Sequence, residues 1–563
     1  MEEKFILTVL VVIAAFIIVV AFLGISERNK RIAKTKSIIR KRYGKRPEDL
    51  SDGQLKAAEG YYKRHEKDHQ IDQITFNDFS LNTLFSMVNN TYSSAGEEYL
   101  YYMLRTPRFD EEYLNKLEDD IKYYMEHADE REQTVFEIAN IGKLKGYSLY
   151  DYLESQEMLG KRKQLKHIAA ILFLIISILL IFISTGLGII CLIATFFFNI
   201  MSYYSEKSKV LMYMKSLSYV VNLTNAAGKL VKKCKYDDMP ELLTESFSVL
   251  EKDLGALKKL SSGSKYVFSS AVNGSVFSML FDYINMILHI DIILFNSMIN
   301  QLYERRDNID SMVGAIGYIE STIAIGSFRN MLPAYCLPTF TEADGGTKAQ
   351  DIYHPYLDKP VKNSYELRRG MLVTGSNASG KSTFLRTIGI NTLMAQTIHT
   401  VCADSFTSRF YRIYSSMSLA DNLLGGDSYF MAEIKSMKRI VDSIDADKVC
   451  LMCFVDEVLR GTNTVERIAA STQILKYLST GNVLCLAATH DIELTSLLED
   501  CYDNYHFKEN FDNGDITFDY KLIEGKATSR NAIKLLNAMG YDRSIIKAAE
   551  DLAENFVKTG IWN

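Results

Sequence analysis

The spacing of apolar and polar positions divides the chain into three textures. Residues 5–25 (FILTVLVVIAAFIIVVAFLGI) carry no charge over 21 positions. As a helix rising about 1.5 Å per residue, such a run reaches roughly 30 Å, the thickness of a bilayer's hydrocarbon core. A second uncharged run, 168–202, is too long for one ordinary span, and Ser184-Thr-Gly-Leu-Gly188 breaks it in the middle. That pattern predicts two short helices in a tight hairpin, with a re-entrant loop as the alternative. Three transmembrane helices are therefore expected. Residues 47–160 and 205–330 repeat Leu, Tyr, Lys and Glu at helical spacing and predict long helices. Beyond about residue 350, short apolar runs bounded by Gly, Ser and Asp alternate with helical stretches, the pattern of an α/β domain with a largely parallel sheet.

Charge orients these segments. Residues 28–46 hold ten Lys or Arg and no acid. By the positive-inside rule the N-terminus lies outside and the chain after residue 26 lies in the cytoplasm, so a multi-pass protein of the cell membrane is expected. Lys161, Arg162, Lys163 and Lys166 before the hairpin, and Lys207 and Lys209 after it, place both flanks on the same side. The first run follows MEEK and lacks a clean small-x-small cleavage site, which favours an uncleaved anchor over a signal peptide. The basic block reads as a topology and anionic-lipid anchor, with a nucleic-acid patch as the alternative. Across all 563 residues the net charge is −5, so any nucleic-acid contact has to be local. The eight cysteines show no metal-ligand spacing. Cys450 and Cys453 lie in an apolar run and read as buried strand thiols.

The candidate chemistry lies in the α/β part. Gly375-Ser376-Asn377-Ala378-Ser379-Gly380-Lys381-Ser382-Thr383 is a complete GxxxxGK[ST] loop, placed between the apolar Met371–Thr374 and the helical FLRTIGINTLMAQTI. Glycines let backbone N–H groups curl round a triphosphate, and the following helix N-terminus favours negative charge. Lys381 is placed to reach the β and γ phosphates, and the Ser382 hydroxyl to bind Mg²⁺. The run VCLMCFVDE delivers Asp456 and Glu457 at a strand end, where Asp456 suits the metal's shell and Glu457 suits activation of water. A third apolar run ends in Thr489-His490-Asp491, and His490 there can sense the γ-phosphate or position the water. ATP and Mg²⁺ are the expected ligands.

With these strands in view the chain resembles the DNA mismatch repair MutS family. The likeness rests on His354-Pro355, TGSNASGKSTFLR, SLADNLLGGDSYFMAEI (418–434), FVDEVLRGTNTVE (454–466) and ATHDIEL (488–494), in that order. LNTLFSMVNNTYSSAGEEYLYYMLRTPRFDEEYL (81–114) looks like the family's core domain, and MVGAIGYIESTIAIGSFR (312–329) like the lead-in to its ATPase domain. The stretch from ITFDYKLIEG to AAEDL resembles its closing helical segment, and FSSAVNGSVFS (268–278) a shortened clamp tip. The resemblance implies an α/β P-loop ATPase domain joined to an all-α core and lever region, working as a homodimer with DNA as partner. It further implies that Ser428 serves the γ-phosphate of the opposite subunit and that Asn377 is the phosphate-loop asparagine.

The implied division is an anchor at 1–26, a basic juxtamembrane linker at 27–75 and a first helical core part at 76–160. A membrane hairpin at 165–204, a second core and lever part at 205–330 and the ATPase domain at 331–563 complete it. The family's mismatch readers carry an N-terminal Phe-x-Glu wedge. Here Phe340-Thr-Glu342 and Phe507-Lys-Glu509 lie in or beside the ATPase domain, not ahead of the core, so a variant without the mismatch-reading domain is expected. An ABC-like transport ATPase and an ATP-binding membrane scaffold are the alternatives.

Overall fold

The computed structural model describes residues 26–562, apart from 28, 145, 158–161, 235, 263–282, 342–345, 377–378, 418–428, 445–448, 461, 513–514, 528–532, 534–535 and 537–539. The chain folds into two units, each assembled from non-contiguous segments. One comprises Met1–His65, Met87–Tyr102 and Asp119–Met331; the other comprises Glu66–Ser86, Met103–Glu118 and Leu332–Asn563.

The first unit is helical. Its core helix, Arg306–Met331, is buried almost throughout from Ile309 to Arg329. Its buried Glu320 accepts hydrogen bonds from the backbone N–H of Tyr92 and from Ser93. The basic block expected as a linker is helical over 29–42 and packs within this unit. Arg40 pairs with Glu132 at 2.6 Å, and Lys36 reaches Gln133.

Among the described residues, two helices of this unit are long and apolar enough to cross a membrane, Leu165–Ile183 and Thr185–Leu211. The third expected span, 5–25, lies outside the described residues, as does the segment 268–278. Ser184 is extended (φ −148°) and makes the hairpin turn. A Cβ on Gly188 would come within 2.4 Å of the Ile181 backbone, so glycine sets how closely the two helices approach. Ser177 and Thr195 hydroxyls meet between them at 3.1 Å. The second helix runs past the division at 204 and continues to Lys233 as one 49-residue helix. The charged and polar residues after Met201 change its environment while keeping good helix formers, and no proline interrupts it.

Among the described residues the second unit contains ten strands in two sheets. The larger sheet has the order β10 (Asp515–Glu524), β9 (Tyr502–Asp512), β4 (Gly370–Thr374), β8 (Val483–Thr489), β7 (Cys450–Asp456), β6 (Tyr411–Ser416). All its neighbours pair in parallel except the antiparallel β9–β10 edge. Every position of β4 and β7 is buried, Cys450 and Cys453 included, which explains apolar runs without alternation: both faces are covered. A smaller mixed sheet, β1 (Pro338–Phe340), β5 (Ser405–Ser408), β2 (Thr347–Ile352) and β3 (Asn363–Leu367), was not expected from the sequence. The stretch 515–524, read as part of a closing helical segment, is strand β10; helix follows at Arg543–Thr559.

Residues 66–86 and 103–118, which the sequence division splits between the juxtamembrane linker (to 75) and the first helical core part (from 76), fold with this second unit. Asp78 accepts from Ser415 Oγ at 2.6 Å and Met417 N at 2.9 Å, and Thr75 Oγ1 accepts from Ser415 N at 3.0 Å. Phe79 meets Phe454 of β7 edge to face. These contacts hold the end of β6.

Candidate active site

The phosphate loop begins where β4 ends. Gly375 sits at φ +146° and Gly380 at φ +98°, left-handed conformations that glycine adopts without steric cost. Gly380 starts the Lys381–Ile398 helix. Lys381 Nζ donates to the carbonyl oxygens of Gly375 at 2.6 Å and Ser376 at 2.8 Å. Burial lowers its pKa from the usual lysine value, against the opposing pull of Glu457 and Asp456. Ser379 Oγ closes the loop onto Ser376 O at 2.8 Å. Thr383 follows in the first helical turn. Asn377, Ala378 and Ser428 lie outside the described residues.

Strand register brings the other candidates to the same edge. Thr374 of β4 lies opposite Thr489 of β8, and Asp456 of β7 opposite Ala488, so the loop, the two acids and His490 share the C-terminal end of the sheet. Ser382 Oγ donates to Asp456 Oδ2 at 2.5 Å. Asp456 Oδ1 is buried with no hydrogen-bond partner among the described residues, and burial raises the carboxyl's pKa. A buried carboxylate oxygen without a donor, beside a serine hydroxyl, suits a hard divalent cation that takes oxygen ligands. Ser382 and Asp456 therefore fit Mg²⁺, which when bound neutralises triphosphate charge.

Glu457 lies just past β7 in a left-handed conformation (φ +57°), with its N–H bonded to Ala488 O at 2.9 Å. Its carboxylate is held from two sides, by His490 Nδ1 at 3.4 Å and by Arg460 Nε at 2.8 Å. The hydrogen bond with His490 is the main reason that Glu457's pKa falls and His490's rises. On the far side of the imidazole, Asp491 Oδ1 stands 3.7 Å from Nε2 and is itself gripped by Arg467 through two bonds of 2.9 and 2.6 Å. An ionised carboxylate held at a strand end beside a phosphate loop can accept a proton from water.

Three features were not read from the sequence. Arg460 completes the Glu457 pair; its place within the FVDEVLRG run is the local signal. Glu433, 4% exposed, accepts from the Arg460 N–H at 3.3 Å. Beside the loop opens a cleft of about 460 Å³ walled by Leu357, Pro360, Val361, Phe507 and Tyr520. Asn363 fixes the Tyr520 turn, donating to Tyr520 O at 3.0 Å and accepting from Leu522 N at 2.9 Å. Its apolar and aromatic walls suit a planar heterocycle whose phosphates lie on the loop. His354 lines the same cleft, and burial pushes its pKa down to about 4, so the ring is neutral.

Residues 371–557, which contain most of this site, match the family model for MutS domain V, a P-loop ATPase-type domain. The DNA mismatch repair protein MutS of Lactobacillus helveticus is 32% identical over 244 residues, 40% of this chain and 28% of the relative. That of Listeria monocytogenes is 28% identical over 270 residues, 46% of this chain and 30% of the relative. DNA mismatch repair protein MutS 2 of Haloarcula marismortui is 29% identical over 214 residues, covering 37% and 21%. The match thus spans under a third of the length of each of these curated relatives. Through residues 371–557 the chain is similar to the MutS family.

Proposed function

We propose that the chain is a membrane-tethered ATPase of the MutS family that binds and hydrolyses ATP with Mg²⁺, uses ATP to close a homodimer, and acts on DNA at the cytoplasmic face of the cell membrane. The observation that carries this reading is the convergence, at one sheet edge, of Lys381, the Ser382–Asp456 pair and the Glu457–His490 pair. In it, the loop 375–383 cradles the phosphates, Lys381 offsets β and γ charge, and Ser382 and Asp456 hold the metal. Glu457 takes a proton from the water that attacks the γ-phosphorus, and His490 holds Glu457 ionised and aimed. Ser428 of each subunit completes the site of the other, where a donor is worth most because charge is concentrated and water excluded.

The DNA role is supported by relatives named as DNA mismatch repair proteins. Tethering is supported by the two apolar helices and the charge-free run before them.

The test is ATP turnover of the detergent-purified chain, with and without homoduplex, mismatched and branched DNA, across a salt series. Turnover lost in Lys381→Ala, with stimulation by DNA that weakens steeply with salt, is the expected result. ATP binding that survives Lys381→Ala would remove the loop assignment, and turnover indifferent to every DNA would remove the DNA role.

A further inference from the structure

At the base of the apolar hairpin the charges are not matched one to one. Glu206 alone receives Arg162 at 3.0 Å, Lys166 at 3.3 Å and Lys209 at 3.1 Å. Asp291 receives Lys207 at 3.2 Å and the Tyr203 hydroxyl at 2.9 Å. Lys163 follows Arg162 in the chain and is exposed, so among the described residues five cations stand here against two carboxylates. Exposure separates the five. The Arg162 and Lys207 side chains are 15% and 27% exposed, whereas Lys166 and Lys209 are 54% and 57% exposed. The half-buried cations neutralise the acids, and the surplus charge sits on the outer side of the collar.

Its position along the hairpin is as informative as its charge. At about 1.5 Å per residue, the turn at Ser184 lies about 27 Å from Lys166 along one helix and about 37 Å from Lys209 along the other, bracketing a hydrocarbon core of about 30 Å. No Asp, Glu, Lys or Arg occurs between Lys166 and Glu206. Large apolar side chains, among them Phe173, Leu179, Ile190 and Phe197, project outward from that interval.

We propose that this collar is a binding surface for the phosphate headgroups of anionic phospholipids, making the hairpin select anionic over zwitterionic lipid. The proposal rests on the reading of 165–211 as membrane-inserted. Lipid, as opposed to a free anion, is the ligand because only lipid offers a phosphate at the collar and acyl chains for the apolar surface directly adjoining it. The headgroup site is built on the same unbroken helix that runs on to Lys233 in the helical unit, so lipid and core share one structural element.

The experiment reconstitutes the full chain into phosphatidylcholine vesicles and compares spin-labelled phosphatidylglycerol with spin-labelled phosphatidylcholine for motional restriction by the protein. A preference of roughly tenfold for the anionic label, shrinking with salt, is expected from three exposed lysines near the headgroups. The triple variant Lys163→Gln, Lys166→Gln, Lys209→Gln keeps the Arg162–Glu206 and Lys207–Asp291 pairs and should still float with vesicles while losing most of that preference. Equal restriction of both labels by the parent chain overturns the collar and leaves the membrane reading intact. A preference unchanged in the triple variant assigns it elsewhere, the basic block at 28–46 included, and also overturns the collar. A chain that floats with no vesicle overturns the membrane reading and the collar together.

Discussion

His490 Nδ1 stands 3.4 Å from Glu457 Oε1 and so ties together the ends of two neighbouring parallel strands, β8 and β7. Arg460 holds the other carboxylate oxygen at 2.8 Å, so Glu457 is aimed by an imidazole and a guanidinium from different segments. If it is the proton acceptor, Glu457→Gln should leave ATP binding near normal and lower single-turnover hydrolysis by about 100-fold or more. His490→Asn should lower it less, and the double variant should be little worse than Glu457→Gln, because the two groups act as one. Additive losses, or turnover unchanged by Glu457→Gln, would remove the pair from catalysis.

Tyr520 overhangs the loop: a Cβ on Gly380 would lie 3.0 Å from its ring. The aromatic face is expected to stack on the nucleotide base. Tyr520→Ala should raise the Kd for ATP about five- to tenfold, in line with the roughly 1 kcal/mol an aromatic pair contributes, and Tyr520→Phe should change it little. Inorganic triphosphate, which has no base, should bind parent and variant alike. Equal weakening for both ligands in isothermal titration would assign Tyr520 to loop stability instead.

What could be read in the sequence is what is local. The loop 375–383, the acids at 456–457 and His490 each close an uninterrupted apolar run, and such runs mark strands covered on both faces, so the end of each run marks the ligand edge of the sheet. What could not be read depends on partners far along the chain. Ser415 is held by Thr75 and Asp78, more than 330 residues earlier, and nothing in TFNDF says that it will serve the edge of a distant sheet. Phe507 and Tyr520 carry no local sign of a ligand until β9 and β10 place them beside Lys381. The division at 204 follows hydrophobicity alone. Hydrophobicity changes there but helix propensity does not, so the helix runs through.

Glu433 offers a test of how the helix following Ser428 communicates with hydrolysis. It projects from helix Tyr429–Asp442 and accepts from Arg460 N at 3.3 Å, in the turn where Glu457 and Leu459 both have positive φ (+57° and +59°). A buried acceptor there holds a backbone conformation that side-chain-bearing residues seldom adopt. Glu433→Ala should lower kcat about tenfold with ATP affinity preserved, while Glu433→Gln, which retains an acceptor, should recover most of the rate. An alanine variant with unchanged kcat, or one that loses ATP binding in parallel, would show that Glu433 is no positioning residue for Glu457.

In the helical unit, burial should set the pH dependence of stability. Asp120 is fully buried, accepts the Tyr318 hydroxyl on one oxygen and has no hydrogen-bond partner for the other among the described residues. Burial pushes its pKa up to about 7, above the value of about 3.9 it has in an unfolded chain. The folded state therefore keeps a proton that the unfolded state releases. The associated stability is complete below the unfolded value and is lost as pH rises through about 7, with a slope of at most about 1.4 kcal/mol per pH unit for one such group. Glu320, raised to about 7, and Glu98, raised to about 8, act in the same direction. Urea melts that follow the helical unit should give a midpoint that falls from about pH 5 to about pH 7. Asp120→Asn keeps an acceptor for Tyr318 and should flatten part of that fall while stabilising the unit at the upper end. A midpoint that rises over the same range would mean that Asp120 is ionised in the folded state, its hydrogen bonds outweighing the cost of burial.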